Sequence, residues 1–211
     1  MLVTAVILAA GKSTRFPGNK MLRRVRLAGV EAPIIRHTVR KFMESGVFDD
    51  VVVVVGHRKG EVMDAVGLPD VKYAVSLNYE VGMSESVKAG VSAVMRYSDA
   101  VAIHPGDVPF ILKSTLRELV RVASEEFSST DRFVVIPKYR PFMKGGHPLI
   151  IGRGLLPYVL EIGEETRGLK GFLARFRHLV RYVCTDDLGV LADVDTPEDL
   201  VRDEELMRRE V

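Results

Sequence analysis

The 211-residue sequence contains one cysteine and no tryptophan. A single cysteine excludes a disulfide framework and a cysteine-rich metal site, and we interpret Cys184, which lies in a predicted strand, as a core residue. The longest apolar runs fall far short of the roughly 18 residues of a membrane span. No basic segment precedes the first apolar run, so no signal peptide is predicted. The histidines have neither H-x-H nor H-x-x-x-H spacing, which argues against zinc.

An excess of charge of one sign is also missing. Lysine and arginine total 30 and aspartate and glutamate total 28, which leaves a formal charge of +2. Without a basic stripe, the sequence gives no indication of nucleic-acid binding, and we expect no membrane association. The ordinary fractions of hydrophobic (47%) and charged (27%) residues exclude a disordered, collagen-like or coiled-coil chain. We expect a cytoplasmic globular protein that acts on small molecules; its oligomeric state is not indicated.

Short apolar runs rich in β-branched residues alternate with helical patterns along most of the chain. The predicted strands are 3–8, 50–55, 71–77, 100–104, 132–136, 149–151 and 179–184. Helices are predicted between Pro33 and Gly46, over 60–66, from a Ser84 or Ser86 cap, from a Ser114 cap, over 154–162 and 168–176, and from a Thr196 cap. This alternation predicts βαβ crossovers, and hence a three-layer α/β/α Rossmann-like fold with a mostly parallel sheet, in one domain spanning 1–211.

The loops that follow the predicted strands are the candidate ligand sites, because ligands of such sheets bind at the carboxyl ends of the strands. The loop at 8–20 contains Gly-Lys-Ser but is not a P-loop, since Val6 stands where that motif needs its first glycine. There is no G-x-G-x-x-G either. Small residues together with Lys12, Arg15 and Lys20 nevertheless indicate binding of a phosphate-bearing ligand.

The segment LAAGKSTRFPGNK at 8–20 resembles the L-A-A-G-x-S-x-R-x-x-x-x-K signature of the MobA-like nucleotidyltransferases, and particularly of the molybdenum cofactor cytidylyltransferases. The resemblance implies a nucleotidyltransferase fold and a loop that wraps the triphosphate of an NTP, with Arg15 and Lys20 as catalytic phosphate ligands. It implies nucleotide-binding roles also for Leu8, Ala9, Ala10, Gly11, Lys12 and Ser13. Ala10 resembles the cytidylyl members, because guanylyl relatives typically carry glycine there. Phe-Pro-Gly at 16–18 departs slightly from the usual Met-Gly.

Two further segments carry the same resemblance. The segment at 78–86 is similar to the family's N-x-G-M-x-x-S, which approaches the base, and this implies nucleotide-binding roles for Asn78, Gly82, Ser84 and Ser86. The segment at 104–110 resembles the family's G-D-M-P. That likeness implies that Asp107 is catalytic, contacts the nucleotide and binds Mg²⁺.

The remaining matches concern the acceptor and the metal. Gly146, His147 and Pro148 resemble the G-H-P of the molybdopterin-directed members, which implies acceptor binding. The segment at 193–200 resembles D-V-D-T-P-E-D and implies Asp195 as a second Mg²⁺ ligand, with Asp193 ranked below it. The stretch 163–170 departs from the family's G-D-x-G-A-R, and this leaves the identity of the acceptor open.

The resemblance implies a Mg²⁺-dependent transfer of CMP from CTP to a phosphorylated acceptor, molybdopterin being favoured, with release of pyrophosphate. No general base is required, because the attacking phosphate is already an anion; positioning and charge neutralisation suffice.

Three alternatives stay open. A sugar-phosphate or cobinamide nucleotidyltransferase would share the phosphate loop. A glycosyltransferase of similar architecture would use Asp193 and Asp195 as its D-x-D motif, although that motif usually follows a strand in the middle of the chain. A non-catalytic nucleotide-binding or chaperone-like module is the third, and retention of Asp107 and Asp195 argues against it.

Overall fold

The computed structural model describes residues 1–13 and 18–192. Its strands are β1 (Val3–Ala9), β2 (Arg24–Leu27), β3 (Val30–Pro33), β4 (Asp50–Val55), β5 (Lys72–Val75), β6 (Ala100–Pro105), β7 (Val134–Tyr139), β8 (Lys144–Gly145), β9 (Leu149–Gly152) and β10 (Val180–Thr185). Its α-helices are α1 (Ile34–Ser45), α2 (Lys59–Val66), α3 (Met83–Val94), α4 (Lys113–Phe127), α5 (Leu156–Val159) and α6 (Gly168–Arg175). No helix within these residues is both long and apolar enough to cross a bilayer.

The main sheet has the strand order β10-β7-β9-β6-β1-β4-β5, and β8 pairs with β7. Pairing is parallel from β6 through β1 and β4 to β5, and again between β7 and β10. Only β9, inserted between β6 and β7, and the short β8 run antiparallel. The predicted mostly parallel sheet is therefore confirmed. The antiparallel β2–β3 hairpin, a second small sheet, was not predicted.

Helices cover both faces of the sheet. Along β1, Val6 and Leu8 belong to a buried cluster with residues of α3, α5 and α6, whereas Ala5 and Ile7 pack with residues of α1, α2 and α4. Successive side chains of a strand point to opposite faces, so a strand that is buried on both faces, such as β1, is apolar at nearly every position. The three-layer α/β/α arrangement is confirmed.

One of the predicted helix starts is confirmed and two of the predicted N-caps are wrong. Helix α1 follows Pro33 and ends at Gly46 in a left-handed conformation (φ 71°), as expected. The caps assigned to Ser84 or Ser86 and to Ser114 are wrong: α3 is preceded by Gly82 and α4 by Leu112, and neither has a cap from its own flanking side chain. Carboxylates from distant segments take that role instead. The Thr196 cap lies outside the described residues.

Two other expectations are corrected. The helix predicted over 154–162 is a 3-10 turn followed by the single turn α5. Cys184 is exposed rather than part of the core. Among the strands of residues 1–13 and 18–192, β10 lies at the sheet edge and pairs with β7 alone, and most of its residues stay in contact with solvent.

Candidate active site

The carboxyl ends of β1 and β6 lie side by side and bring two of the predicted site segments together. The Gly106 amide donates to the Leu8 carbonyl (2.8 Å), and the Gly106 carbonyl accepts from the Thr38 hydroxyl (2.8 Å). A Cβ at Gly106 would lie 2.8 Å from Ile35 Cδ1 and 2.9 Å from the Leu8 carbonyl oxygen. The turn that carries Asp107 therefore approaches β1 more closely than any residue other than glycine permits.

Lys20 and Asp107 form an ion pair at these strand ends. Both side chains are largely buried, with 15% and 12% of their surface exposed. Lys20 begins a 3-10 turn that is capped by Asn19, whose side chain accepts from the Met21 amide (3.0 Å). Two residues for which the sequence predicts catalytic roles thus meet directly. Arg15, Asp193 and Asp195 lie outside the described residues.

The first half of the loop after β1 leaves the core at Gly11. Leu8, Ala9 and Ala10 are buried, and the Ala10 carbonyl accepts from the amide of His57 (3.0 Å). Gly11 and Lys12 are exposed and Ser13 is half-buried. Of the predicted nucleotide-binding residues at 8–13, Gly11, Lys12 and Ser13 are therefore the ones that solvent or a ligand reaches.

Lys12 connects this loop to the segment before α3. Its ammonium group lies 2.6 Å from the Glu80 carboxylate. Each partner favours the charged form of the other, so the pKa of Lys12 is raised and that of Glu80 is lowered. Since both side chains are exposed, the pair contributes little to stability, but it joins two segments that the sequence assigns to the nucleotide.

Ser84 at the start of α3 is bound to Glu164. Glu164 accepts from the Ser84 amide (3.1 Å) and hydroxyl (2.8 Å), and these hydrogen bonds lower the pKa of Glu164. Ser86 is buried and its hydroxyl contacts that of Ser76, whereas Asn78 is exposed. Sequence reasoning missed Glu164, although it lies in the stretch that departs from the family pattern.

Gly146, His147 and Pro148 pack against the segment that follows β10. The Gly146 amide donates to Pro137 (2.9 Å) and the His147 amide to Val190 (2.8 Å). A Cβ at Gly146 would collide with the Val190 carbonyl, so the close approach requires glycine. The peptide bond before Pro148 is cis.

His104 links His147 to the Asp107 turn. It is completely buried; its ring meets His147 edge-on with centroids 6.2 Å apart, and its Nε2–H donates to the Val108 carbonyl (2.8 Å). Burial lowers the pKa of His104 to about 3. The imidazole is therefore neutral at ordinary pH and closes the turn around Asp107 from inside the protein.

The protein is expected to lose stability in acid through His104. A histidine whose pKa is lowered on folding binds its proton more readily in the unfolded chain, so its contribution is intact above pH 6.5 and falls as the pH drops toward 3. At about 1.4 kcal/mol per pH unit, the free energy of unfolding should decrease from pH 7 to pH 5 by about 2 kcal/mol more in wild type than in His104→Asn. Urea unfolding measures this.

The exposed His178 provides a matched control, and His178→Asn should keep the wild-type pH profile. In wild type, the His104 imidazole followed by NMR should remain neutral at pH 5. Parallel stability curves for wild type and His104→Asn, or a His104 ring that protonates above pH 5, would contradict the assignment.

Asp187 supplies the cap that α4 lacks. One oxygen accepts from the Leu112 amide (2.8 Å) and the Thr115 hydroxyl (2.7 Å), and the other accepts from the Gly189 amide (2.8 Å). A carboxylate at a helix N-terminus satisfies amides that have no partner within the helix. This buried residue, missed from the sequence, fixes the end of β10 to the segment just beyond Asp107.

A cavity of about 840 Å³, called here the lateral cavity, lies beside these elements. Its lining includes Ser84, Lys138, His147, Arg167, Lys170 and Tyr182. It thus extends from the start of α3 past the predicted acceptor residues to the edge strand β10.

No group of three or more histidine, cysteine, aspartate or glutamate residues that could hold a metal occurs within 1–13 and 18–192. Magnesium, however, is commonly bound by one or two carboxylates, with phosphate oxygens and water completing its shell. The nearly buried Asp107 carboxylate fits such a partial donor set.

Residues 5–181 match the family model of the MobA-like NTP transferase domain, so the chain belongs to this family of nucleotidyltransferases. It is 35% identical over 120 residues to the bifunctional protein GlmU of Geotalea uraniireducens, which covers 56% of this chain and 25% of that protein. It is 31% identical over 126 residues to 2-C-methyl-D-erythritol 4-phosphate cytidylyltransferase of Caldanaerobacter subterraneus, and this match covers 58% of this chain and 55% of that protein. The chain thus matches about a quarter of the length of GlmU.

Other matches run nearly end to end. Nicotine blue oxidoreductase of Paenarthrobacter nicotinovorans is 28% identical over 207 residues, 95% of each chain. The crystal structure of Rv0371c from Mycobacterium tuberculosis superposes with a TM-score of 0.81 and 24% sequence identity, covering 97% of this chain and 98% of that one. The manganese complex of the same protein superposes with a TM-score of 0.76 and 23% identity, covering 97% of this chain and 99% of that one. Molybdopterin-guanine dinucleotide biosynthesis protein A of Archaeoglobus fulgidus superposes with a TM-score of 0.66 and 19% sequence identity, covering 98% of this chain and 99% of that one. These likenesses confirm the Rossmann-like nucleotidyltransferase fold.

Proposed function

We propose that this protein transfers CMP from CTP to a phosphorylated acceptor, with molybdopterin favoured, in a reaction that depends on Mg²⁺ and releases pyrophosphate. The observation that carries the proposal is the largely buried Lys20–Asp107 pair at the adjoining ends of β1 and β6. This pair lies where ligands of such sheets bind, and it supports a role for Lys20 as a phosphate ligand beside Asp107 as a metal ligand.

Binding of the nucleotide would break the ion pair between Lys20 and Asp107. Lys20 would turn to the phosphates, as a compact cation with three donors, and Asp107 would hold the metal together with phosphate oxygens, with Asp195 proposed as the second carboxylate. When bound, Mg²⁺ would neutralise the charge that develops on the phosphate oxygens. Each partner thereby exchanges one opposite charge for another, so neither is left uncompensated in a nearly buried site.

The chemistry needs no proton acceptor from the protein. An oxygen of the acceptor phosphate forms a bond to the α-phosphorus, the bond from that phosphorus to the bridging oxygen breaks, and pyrophosphate leaves with the electron pair. The remaining task is to align and neutralise the groups. Backbone amides from Gly11 onward, Lys12, Arg15 and Lys20 are proposed for that role on the nucleotide side, with Asn78, Gly82, Ser84 and Ser86 toward the base.

The choice of CTP is supported by the cytidylyltransferase among the relatives and by Ala10. Gly146, His147 and Pro148 are proposed to contact the acceptor, since His147 adjoins both His104 and the lateral cavity. The relative named as an oxidoreductase makes a redox activity worth testing in parallel.

The direct test combines each of four NTPs with molybdopterin, a sugar phosphate or no acceptor, with and without Mg²⁺, and measures pyrophosphate. We expect release that requires CTP, molybdopterin and Mg²⁺ together. A preference for GTP would refute the cytidylyl assignment. Absence of pyrophosphate in every combination, with turnover only when NADH or NADPH is supplied, would refute nucleotidyl transfer.

Lys20→Met is expected to reduce kcat/KM for the NTP at least tenfold. A charge-assisted contact contributes about 1.5–3 kcal/mol, which corresponds to a tenfold or larger effect. Arg15→Ala should act in the same direction. Lys113→Met, which removes a surface lysine paired with Glu44 at 3.0 Å, is the matched control and should leave kcat/KM unchanged. Steady-state pyrophosphate release measures all three, and wild-type kinetics in Lys20→Met would rule out the loop assignment.

A further inference from the structure

The chain in front of α3 lies largely on the surface. Val81 and Met83 are 69% and 66% exposed, and Gly82, at the N-cap position of α3, has no side chain with which to cap the helix. On the amino side, the Lys12–Glu80 ion pair links this stretch to the loop after β1. An exposed ion pair contributes little to stability. Contacts made at the start of α3 are therefore important for holding this stretch in place.

Glu164 makes such a contact from 80 positions further along the chain. Its Oε1 accepts from both the amide (3.1 Å) and the hydroxyl (2.8 Å) of Ser84, which is 4% exposed. A Cβ at Gly82 would collide with the same carboxylate, so the Glu164 side chain lies directly against the backbone that enters the helix. A carboxylate in this position satisfies an amide that has no partner within the helix.

The turn that carries Glu164 is closed by its own hydrogen bonds. The Gly163 carbonyl accepts from the Gly168 amide (2.8 Å) and the Thr166 hydroxyl (3.0 Å), and the Gly163 amide donates to that hydroxyl (2.9 Å). Just before the turn, Ile162 is 5% exposed and belongs to the same buried cluster as Val87 of α3. Glu164 thus extends from a fixed base onto the start of α3.

These contacts also determine what Ser84 can do. Its amide and its hydroxyl both donate to Glu164, so neither is left as a donor for a nucleotide base. Ser84 instead connects Glu164 to the two residues on either side of it that the sequence also assigns to the nucleotide, Gly82 and Ser86.

We propose that Glu164 is a positioning residue for the nucleotide: through Ser84 and Gly82 it holds the segment 78–86 where the base binds, without touching the nucleotide itself. This inference rests on the proposed function in placing the base beside that segment. It adds a residue that controls affinity for the base separately from affinity for the triphosphate. If the segment is in place for only part of the time, the apparent affinity falls by the same fraction.

Binding without turnover tests the proposal, using calorimetry with Mg²⁺ present. CTP and GTP are compared with inorganic tripolyphosphate, which offers phosphates but no base. Glu164→Ala should weaken binding of the preferred nucleotide about fivefold or more, as expected for a segment in place about a fifth of the time. Its affinity for tripolyphosphate should stay at the wild-type value, whereas Lys20→Met should weaken both ligands. In steady-state pyrophosphate release, Glu164→Ala should raise KM for the nucleotide and leave kcat nearly unchanged.

Three further variants serve as controls. Glu164→Gln keeps an oxygen that can accept from both Ser84 donors and should restore most of the nucleotide affinity. Glu165→Ala makes the same change as Glu164→Ala on the next exposed glutamate and should bind both ligands like wild type. Ser84→Ala/Glu164→Ala should bind the nucleotide no more weakly than Glu164→Ala alone, because both changes remove one shared contact.

The outcomes separate this inference from the proposed function. Wild-type nucleotide affinity in Glu164→Ala overturns the inference while nucleotidyl transfer stands. Equal weakening of nucleotide and tripolyphosphate, or a Glu164→Gln variant as weak as Glu164→Ala, overturns it in the same way. Nucleotide binding that depends on Glu164, without pyrophosphate release with any acceptor, supports the inference and overturns the proposed transfer alone. A wild-type protein that binds no NTP overturns both.

Discussion

Replacing Asp107 by asparagine is expected to lower kcat at least about a hundredfold, which corresponds to roughly 2.7 kcal/mol in the activation barrier. Under the proposed function the carboxylate holds the metal that neutralises charge during displacement, and an uncharged amide of the same shape does so poorly. The Mg²⁺ concentration for half-maximal turnover should rise in parallel. Pyrophosphate release at varied Mg²⁺ measures both quantities.

The matched control is Asp64→Asn, which makes the same chemical change on an exposed position of α2 and should leave kcat unchanged. Since Asp107 also pairs with Lys20, its replacement alters the electrostatics of a nearly buried lysine. Urea unfolding of Asp107→Asn, with Lys20→Met/Asp107→Asn beside it, separates that effect from catalysis. If folded Asp107→Asn kept wild-type turnover and an unchanged Mg²⁺ requirement, the proposal that Asp107 binds the metal would be refuted. Asp195→Asn tests the second proposed ligand in the same way.

Asp187→Ala is expected to destabilise the protein by about 3–5 kcal/mol, the largest effect on stability that we predict for a polar residue. The change removes three hydrogen bonds to a buried carboxylate and leaves the Leu112 amide at the start of α4 without its cap. Urea unfolding gives the free energy directly.

The neighbouring Asp186 is the control for this second variant. It is exposed and pairs with Arg140 on the surface, so Asp186→Ala should change the free energy of unfolding by less than about 1 kcal/mol. Asp187→Asn, which keeps two acceptor positions at most, should fall between the two alanine variants. Equal stabilities of Asp186→Ala and Asp187→Ala would show that the carboxylate does not fix β10 to α4.

The meeting of Lys20 and Asp107 follows from a rule that can be applied to the sequence. The runs at 3–8 and 100–104 are apolar except for Thr4 and His104, and such nearly continuous apolar runs are typical of strands buried on both faces. Parallel strands end at the same edge of a sheet, so the polar residues that follow them converge there although 87 positions separate them. The roles that the family resemblance assigns to these two residues remain predictions.

The helix caps could not be predicted in this way. A serine before an apolar pattern is a good local signal, and on that basis Ser84 and Ser114 are reasonable caps. The structure instead caps α3 with Glu164 and α4 with Asp187, which come from segments far along the chain. The antiparallel direction of β9 could not be predicted either, because a short apolar run is compatible with both parallel and antiparallel pairing.

These distant caps bear on the order in which the chain folds. Glu164 reaches Ser84 across 80 residues, and Asp187 reaches Thr115 across 72. Bringing such remote segments together costs chain entropy before any contact rewards it. Strands β1, β4 and β6 and their loops can pair while the chain is still being synthesised. The first turns of α3 and α4 are completed only after Glu164 and Asp187, which belong to the last quarter of the chain, have emerged. Assembly of the site is therefore a late folding event, coupled to docking of a segment that lies far along the chain from Lys12 and Lys20.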